Sequence, residues 1–348
     1  MRRALSILTI ALVCARVPTH ADDLLFDRFA SYVEALRVQA GIPGLAAAVI
    51  GNNGVLWSRG FGRQDMERAL PARVDTPFHL DGLTQVFTAS LVMRCVEEGH
   101  FSLDDRLGQL IQGAPEPDAT LREVLTHTSA SGVFSYRPER IAPVATVIAR
   151  CSGQPFQEKL ANGLDWAAMF DSVPGADVVQ LTPAVAGIFA APTLERYGRV
   201  LSRLATPYVV DSRGRPSPTQ YVATTLTPTS GAISTVDDLV RFVLALRNGV
   251  IVRPETLAVA WRPPFDARGQ RLPHGLGWFV QSYGGETIVW QFGVSDNASS
   301  SLMVTVPARG VTMVLLANSD GLVKAFPLAA GDLGVSPFGR LFLGLFVR

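Results

Sequence analysis

Nucleophilic catalysis on a helix needs a hydroxyl or thiol with a base one turn away, and an i, i+3 spacing of serine and lysine puts both side chains on one helix face. This chain has no such pair. Its only lysines are Lys159 and Lys324, and the residues three before them are Phe156 and Gly321. Arginine is no substitute, because its guanidinium stays protonated and offers no lone pair. None of Tyr32, Tyr136, Tyr197, Tyr208, Tyr221 and Tyr283 has asparagine two residues on. No G-x-S-x-G elbow occurs, and His20, His79, His100, His127 and His274 lack metal-ligand spacing, so neither a metal nor a cofactor is expected. The remaining hydroxyls read as structural. His127 with Ser129 reads as packing rather than as a catalytic pair, Ser295–Asp296–Asn297 as a turn, and Thr84, one turn from Thr88, as a hydroxyl without a base.

The elements that would carry these residues follow from periodicity. Residues 23–40 put Leu24, Leu25, Phe29, Tyr32, Val33 and Leu36 on one helical stripe, stopped by Gly41 and Pro43. LAAAVI (45–50), a Gly51–Gly54 turn and VLWSRGFG (55–62) predict a hairpin. From residue 77 to about 249 helical patterns dominate. Val86, Phe87, Leu91, Val92, Cys95 and Val96 form a buried stripe closed by Gly99, and further helices are expected over 121–125, 142–150 and 193–204. The clearest helix is 237–247, with a T-x-x-D cap at Thr235 and Asp238 and a stop at Asn248–Gly249. Strands return in GLGWFVQSY (275–283), GETIVWQFG (285–293), SSSLMVTVP (299–307) and GVTMVLLANS (310–319), before a closing apolar helix, RLFLGLFV. The expected fold is therefore α+β: an antiparallel sheet flanked by terminal helices and split by a mostly helical insertion, with residues 22–76 and 250–348 forming one part of a single unit and 77–249 the other.

Arg2 and Arg3 precede an apolar run from Ala4 to Ala15, and a small-residue end follows at Thr19, His20 and Ala21. Residues 1–21 thus read as a secretory signal peptide, cleaved after Ala21 or after Ala15, and the protein is expected in the periplasm or outside the cell. Without Arg2, Arg3 and Arg16 the 31 basic residues fall to 28, against 30 acidic ones. That balance gives no reason to expect nucleic acid as a partner, and no later stretch is long and apolar enough to span a membrane. Cys95 and Cys151 remain after processing; export permits a bridge between them, and the sequence leaves their pairing and the oligomeric state open.

Several strings then carry a resemblance over nearly the whole processed chain: VMRCVEEGHFSLDDRL (92–107), LREVLTHTS (121–129), ARCSGQPF (149–156), SGAISTVDDLVRF (230–242), HGLGWFVQ (274–281) and VTMVLLANSDG (311–321). In this order they resemble the serine β-lactamase-like and penicillin-binding-protein-like family, the class C β-lactamase-related serine hydrolases. The resemblance implies a serine and a lysine in F-x-x-x-S-x-x-K, which falls on Phe78 to Gln85, with Gly82 at the nucleophile position and Gln85 at the base position. It places the family's Y-x-N on Tyr136–Arg137–Pro138, keeping the tyrosine and losing the amide at Pro138. Its third motif, K-T-G or H-x-G, falls on Gln291–Phe292–Gly293, so a cation or imidazole has become a neutral amide while the glycine is kept. It implies an oxyanion hole from the N–H groups of Gly82 and Val294, donors that do not depend on side-chain identity.

Glycine has nothing to attack with, and an amide is no base near neutral pH. The sequence therefore reads as an exported, catalytically inactive homologue whose vestigial cleft, at Gly82, Gln85, Tyr136, Pro138, Gln291, Gly293 and Val294, binds a small molecule, a peptide or a partner. Two alternatives stay open: a serine-hydrolase-type esterase or amidase with a nucleophile elsewhere, and a structural or assembly protein whose cleft is closed, with His79 and Phe292 adding bulk near it.

Overall fold

The six apolar residues from Leu45 to Ile50 are too continuous for a strand with one wet face, and the fold buries both faces. The computed structural model describes residues 20–128, 132–180, 187–222, 225–266 and 268–347, with backbone alone for 20–22. Its strands are β1 (Gly44–Gly51), β2 (Gly54–Asp65), β3 (Leu70–Pro71), β4 (Phe78–His79), β5 (Tyr208–Val210), β6 (Pro216–Pro218), β7 (Ile233–Ser234), β8 (Phe279–Tyr283), β9 (Glu286–Ser295), β10 (Ser299–Val306) and β11 (Val311–Ala317). Seven form one sheet in the order β3-β2-β1-β11-β10-β9-β8. The amino-terminal hairpin joins the carboxy-terminal meander along β1 and β11, antiparallel, with Ala47 opposite Leu315.

The strand period of two then sorts side chains into two cores. Leu45, Ala47, Val49, Met313 and Leu315 face one cluster with Phe29, Val33, Phe338 and Phe342. Those last four come from the terminal helices α1 (His20–Gln39) and, last in the chain, Pro337–Phe346. Ala46, Ala48, Ile50, Val314 and Leu316 face the other cluster, shared with the helical region. The layers are thus helix, sheet, helix, as the antiparallel sheet with a helical insertion implies.

The helical region holds α2 (Thr84–Glu97), α3 (Leu107–Leu110), α4 (Leu121–Leu125), α5 (Val144–Ser152), α6 (Phe156–Trp166), α7 (Ala191–Leu201), α8 (Val236–Arg247) and α9 (Pro254–Ala260), which makes the closing helix α10. Cys95 on α2 is disulfide-bonded to Cys151 on α5. At α8 the Thr235 hydroxyl accepts the Asp238 N–H at 3.1 Å. The Asp238 carboxylate does not return to Thr235. It accepts from the Ser172 hydroxyl at 2.7 Å and the Asp171 N–H at 2.8 Å, and tethers the preceding segment instead.

Two sequence expectations change. On α1, Leu24 and Tyr32 point to water, 62% and 52% exposed, while Phe26, Phe29, Ala30 and Val33 make the inward stripe. The stretch GLGWFVQSY is a strand only from Phe279, because Gly277 holds φ +87° and its loop lies on α2, where any Cβ would stand 2.3 Å from that of Ala89. The mostly helical region after residue 77 also holds two short strand pairs, β4 with β7 and β5 with β6. The expected signal peptide lies outside the described residues up to residue 19, as does Ser129.

Candidate functional site

Pairing of β4 with β7, and the Leu80 N–H on Ala232 O at 2.9 Å, bring the chain to the start of α2 through a single 3-10 turn, Asp81–Leu83. This turn meets the middle of the sheet. Ser301 on β10 donates to Leu80 O at 2.7 Å, and Ser299 donates to Asp81 Oδ2 at 2.7 Å. Gly82 is therefore pressed against β9: a Cβ built on it would lie 2.7 Å from Phe292 O and 3.3 Å from Gly293 Cα. From the other side a Cβ on Gly293 would lie 2.1 Å from Leu80 O and 2.7 Å from Gly82 N, which is why this position admits only glycine.

The side chains that the sequence singled out meet here. One turn into α2, Gln85 is 1% exposed and bonded at both ends of its amide. Its Nε2 donates to Tyr136 Oη at 2.8 Å, and its Oε1 lies 3.1 Å from His127 Nε2. His127 Nδ1 in turn accepts the Arg137 N–H at 3.2 Å. Because Nδ1 is an acceptor, the ring proton resides on Nε2, and the polarity of the chain is fixed: Arg137 N–H to His127, His127 to Gln85, Gln85 to Tyr136. Every member is neutral. Burial, with His274 4.6 Å away, holds the His127 imidazole well below its ordinary range, and burial raises the Tyr136 phenol. His274 itself is pushed down to about 3 by burial, and its Nε2 has no partner among the described residues.

Gln291 is fully buried and uses its amide on the backbone. Its Nε2 donates to Gly277 O at 3.2 Å and its Oε1 accepts the Phe292 N–H at 2.9 Å. That second bond fits the alternation of β9. Val280 donates outward to Pro273 O, so Phe279, Gln281 and Tyr283 bond to β9 through Trp290, Ile288 and Glu286. Carried past the end of β8, the alternation turns the peptide groups of Phe292 and Val294 to the free edge. Phe292 is occupied by Gln291, so Val294 presents its N–H there, half-buried like Gly82 and Tyr136. Pro138 opens the 3-10 turn after Tyr136 and brings no polar group. Phe292 itself packs in the sheet core, with Tyr136 at 5.5 Å and Phe279 at 5.7 Å.

Other hydroxyls and amines are committed elsewhere. Thr84 Oγ1 accepts the Ala232 N–H and Thr88 Oγ1 donates to Pro228 O. Lys159 Nζ lies over the Trp166 ring at 4.9 Å, and Lys324 pairs with Asp320 at 2.8 Å. Asn297, at φ +60°, belongs to the β9–β10 turn, as read from the sequence. One group of metal-ligating types occurs among the described residues, Glu98, His100 and Cys151, and its sulfur is in the disulfide.

Sequence reasoning missed Asp81. This carboxyl is 6% exposed, sits at φ +48° immediately before Gly82, and is pushed up to about 7 by burial against the opposing Ser299 hydrogen bond. Beyond it, His79 stacks on Tyr221 at 4.0 Å and is pushed down to about 4 by burial. The available signal was an acid inside an otherwise apolar approach to a helix.

Comparison with known proteins identifies the family and the fold. The family described as Beta-lactamase matches residues 29–163 and 189–333, well over half of the chain. Penicillin-binding protein 4 of Amycolatopsis lactamdurans is 25% identical over 336 residues, covering 84% of this chain and 85% of that protein. The ML-236A carboxylate methylbutanoyltransferase mlcH of Penicillium citrinum is 27% identical over 164 residues, 42% of this chain and only 38% of that protein. Among solved structures, the octameric penicillin-binding protein homologue from Pyrococcus abyssi superposes with a TM-score of 0.74 over 93% of this chain and 78% of its own, at 18% identity, a likeness of fold.

Proposed function

The chain belongs to the Beta-lactamase family, and from that premise we propose that it is an exported, catalytically silent member that works by binding at the mouth of its cleft. One observation carries the proposal: the chain from Arg137 N–H through His127 and Gln85 to Tyr136 occupies the place of a base with neutral, mutually satisfied groups. A proton arriving there has no basic partner within the chain, and Gly82 offers no atom to acylate. The threonine hydroxyls nearest the helix start are buried and bonded, which weakens the reading of an esterase or amidase with another nucleophile. What the cleft offers a ligand is backbone: the N–H groups of Gly82 and Val294, suited to a neutral carbonyl of a small molecule or peptide. With Gln291 in place of a cation, a ligand carboxylate has no counter-charge in this set.

Closure at Gly82 against Phe292 O supports a second reading, an assembly role in which the cleft is not entered. Export is supported by the charged and apolar start of the sequence and by the Cys95–Cys151 disulfide, a bond that persists in oxidising compartments.

The test is intact-protein mass after incubation of the processed protein with a fluorescent penicillin, an activated ester and a fluorophosphonate. Unchanged mass and no turnover are expected. A stoichiometric adduct abolished by one serine or threonine substitution would overturn the proposal.

A further inference from the structure

A second feature lies on the opposite side of β8 from β9. Residues 261–274 carry Arg262, Arg268 and Arg271 against one acid, Asp266. That acid is consumed by its own turn: Asp266 Oδ1 accepts the N–H groups of Arg268 and Gln270 at 2.8 Å each, and Leu272 N–H donates to Pro264 O at 2.9 Å. The segment is thereby folded into a small hairpin beside the edge strand β8, with a cavity of about 610 Å³ between them. This volume lies within the range of roughly 300–1,000 Å³ typical of ligand sites.

Four properties of its lining point to one kind of occupant. Arg262 and Arg271 line the cavity and make no ion pair among the described residues, and the lining holds no acid. Phe265, also in the lining, is held 60% exposed. The indole N–H of Trp261 is buried without an acceptor among the described residues. Finally, β8 is an edge. The Val280 N–H is taken by Pro273 O, and the same alternation turns the N–H and C=O of Ser282 outward, a peptide unit with no strand beyond it among the described residues.

We propose that this groove binds an extended acidic peptide segment of another protein, which adds as a short strand against Ser282 while its carboxylates meet Arg262 and Arg271. Main-chain pairing to an edge supplies affinity without sequence preference, and the flanking side chains supply the selection. Guanidinium groups without internal partners lose nothing by turning to a carboxylate, and their planar forks match it in two hydrogen bonds. Apolar side chains of the segment would rest on Phe265 and Val280. A nucleic acid or sulfated polysaccharide would use the arginines alone and leave the peptide unit of Ser282 idle. The groove is separate from the cleft at Gly82, so this inference does not depend on how that cleft works.

The test uses the processed protein with its disulfide intact and a fluorescein-labelled hexapeptide alternating glutamate and valine, read by fluorescence anisotropy at low salt. Saturable binding is expected, at least tenfold weaker for the lysine–valine counterpart and for the variants Arg262→Glu and Arg271→Glu. Ser282→Pro removes only an outward N–H, which an edge strand tolerates, and is expected to weaken binding at least tenfold at unchanged Tm. A hexapeptide N-methylated at its valines tests the same bond from the ligand side, with no change to the protein, and is expected to bind at least tenfold more weakly. Absence of saturable binding up to about 1 mM peptide would overturn the proposal. So would equal binding of the lysine peptide, of the N-methylated peptide or of heparin.

Discussion

Replacing Asp81 by asparagine isolates the cost of an acid that the sequence places inside the sheet–helix junction. Asparagine accepts the Ser299 hydroxyl as the carboxylate does, and both residues tolerate the left-handed φ of +48°, so the backbone contribution cancels. What differs is charge. With the Asp81 carboxyl pushed from an ordinary 3.8 to about 7, the folded state binds a proton that the unfolded chain has released between those values. Stability contributed by this group is therefore present in full below the unfolded value and is lost as pH rises through about 7. At 1.36 kcal/mol per pH unit the loss is at most about 4 kcal/mol. Three histidines act in the opposite direction: His79, His127 and His274 are all held below their ordinary 6.5, so each withdraws stability as pH falls below that value. The wild-type profile alone would hide Asp81 beneath them, and the difference between variant and wild type removes them. Urea unfolding of both proteins from about pH 4 to pH 8 should show Asp81→Asn gaining steadily, from near zero at the acid end to a few kcal/mol at the other. A difference that stays constant across this span would refute the reasoning, because Asp81 would then not titrate differently in the two states.

Restoring the nucleophile and base, Gly82→Ser with Gln85→Lys, should give at most weak acylation by a fluorescent penicillin, since the serine Cβ meets Phe292 O at 2.7 Å and Gln291 stays neutral; robust hydrolysis by this variant would show that both constraints yield. Replacing Cys95 and Cys151 by alanine opens a loop of 56 residues, for which chain entropy alone gives about 4 kcal/mol, to be read as a lower urea midpoint, with wild type falling to match in reductant. Tyr136→Phe strands the Gln85 Nε2 donor in a buried place and should destabilise by about 1–3 kcal/mol, measured by urea unfolding; a neutral effect would mean that water or another acceptor reaches the amide.

Much of the architecture was legible because its signals are local. Thr235 caps α8 as its spacing predicts, Gly99 closes α2 at φ +77°, and the apolar runs after Gly285 become β9, β10 and β11. The errors arise where a partner far along the chain decides. Nothing near Leu24 or Tyr32 says that α10 approaches α1 from the other side, and Gly277 leaves its strand because α2 lies beneath it. The disulfide is of this kind too, since α2 and α5 must first pack. At the site, the resemblance located Gly82, Gln85, Tyr136 and Gln291, and three-dimensional proximity supplied what no spacing carries: that Gln85 bonds to both Tyr136 and His127, and that Gln291 is spent on the backbone beside it.

These two glutamines show how the junction of helix and sheet is held together without charge. A lysine at position 85 would stand beside a histidine and a tyrosine that are both neutral, in a place almost without solvent, and would have to shed its proton or unsettle the packing. An amide bears a donor and an acceptor on one planar group, and the positions of Tyr136 and His127 require one of each. Gln85 therefore satisfies both neighbours without charge, and Gln291 does the same for the Gly277 carbonyl and the Phe292 N–H. In each case one neutral amide supplies both a donor and an acceptor, and this makes the junction of helix and sheet a piece of core. Asp81 stands out against this pattern, because it keeps an ionisable group beside Gly82 where an uncharged residue would fit. If the junction is core alone, Asp81→Asn should improve the protein in every respect; a ligand or partner lost with that substitution would mark Asp81 as the one group there retained for recognition.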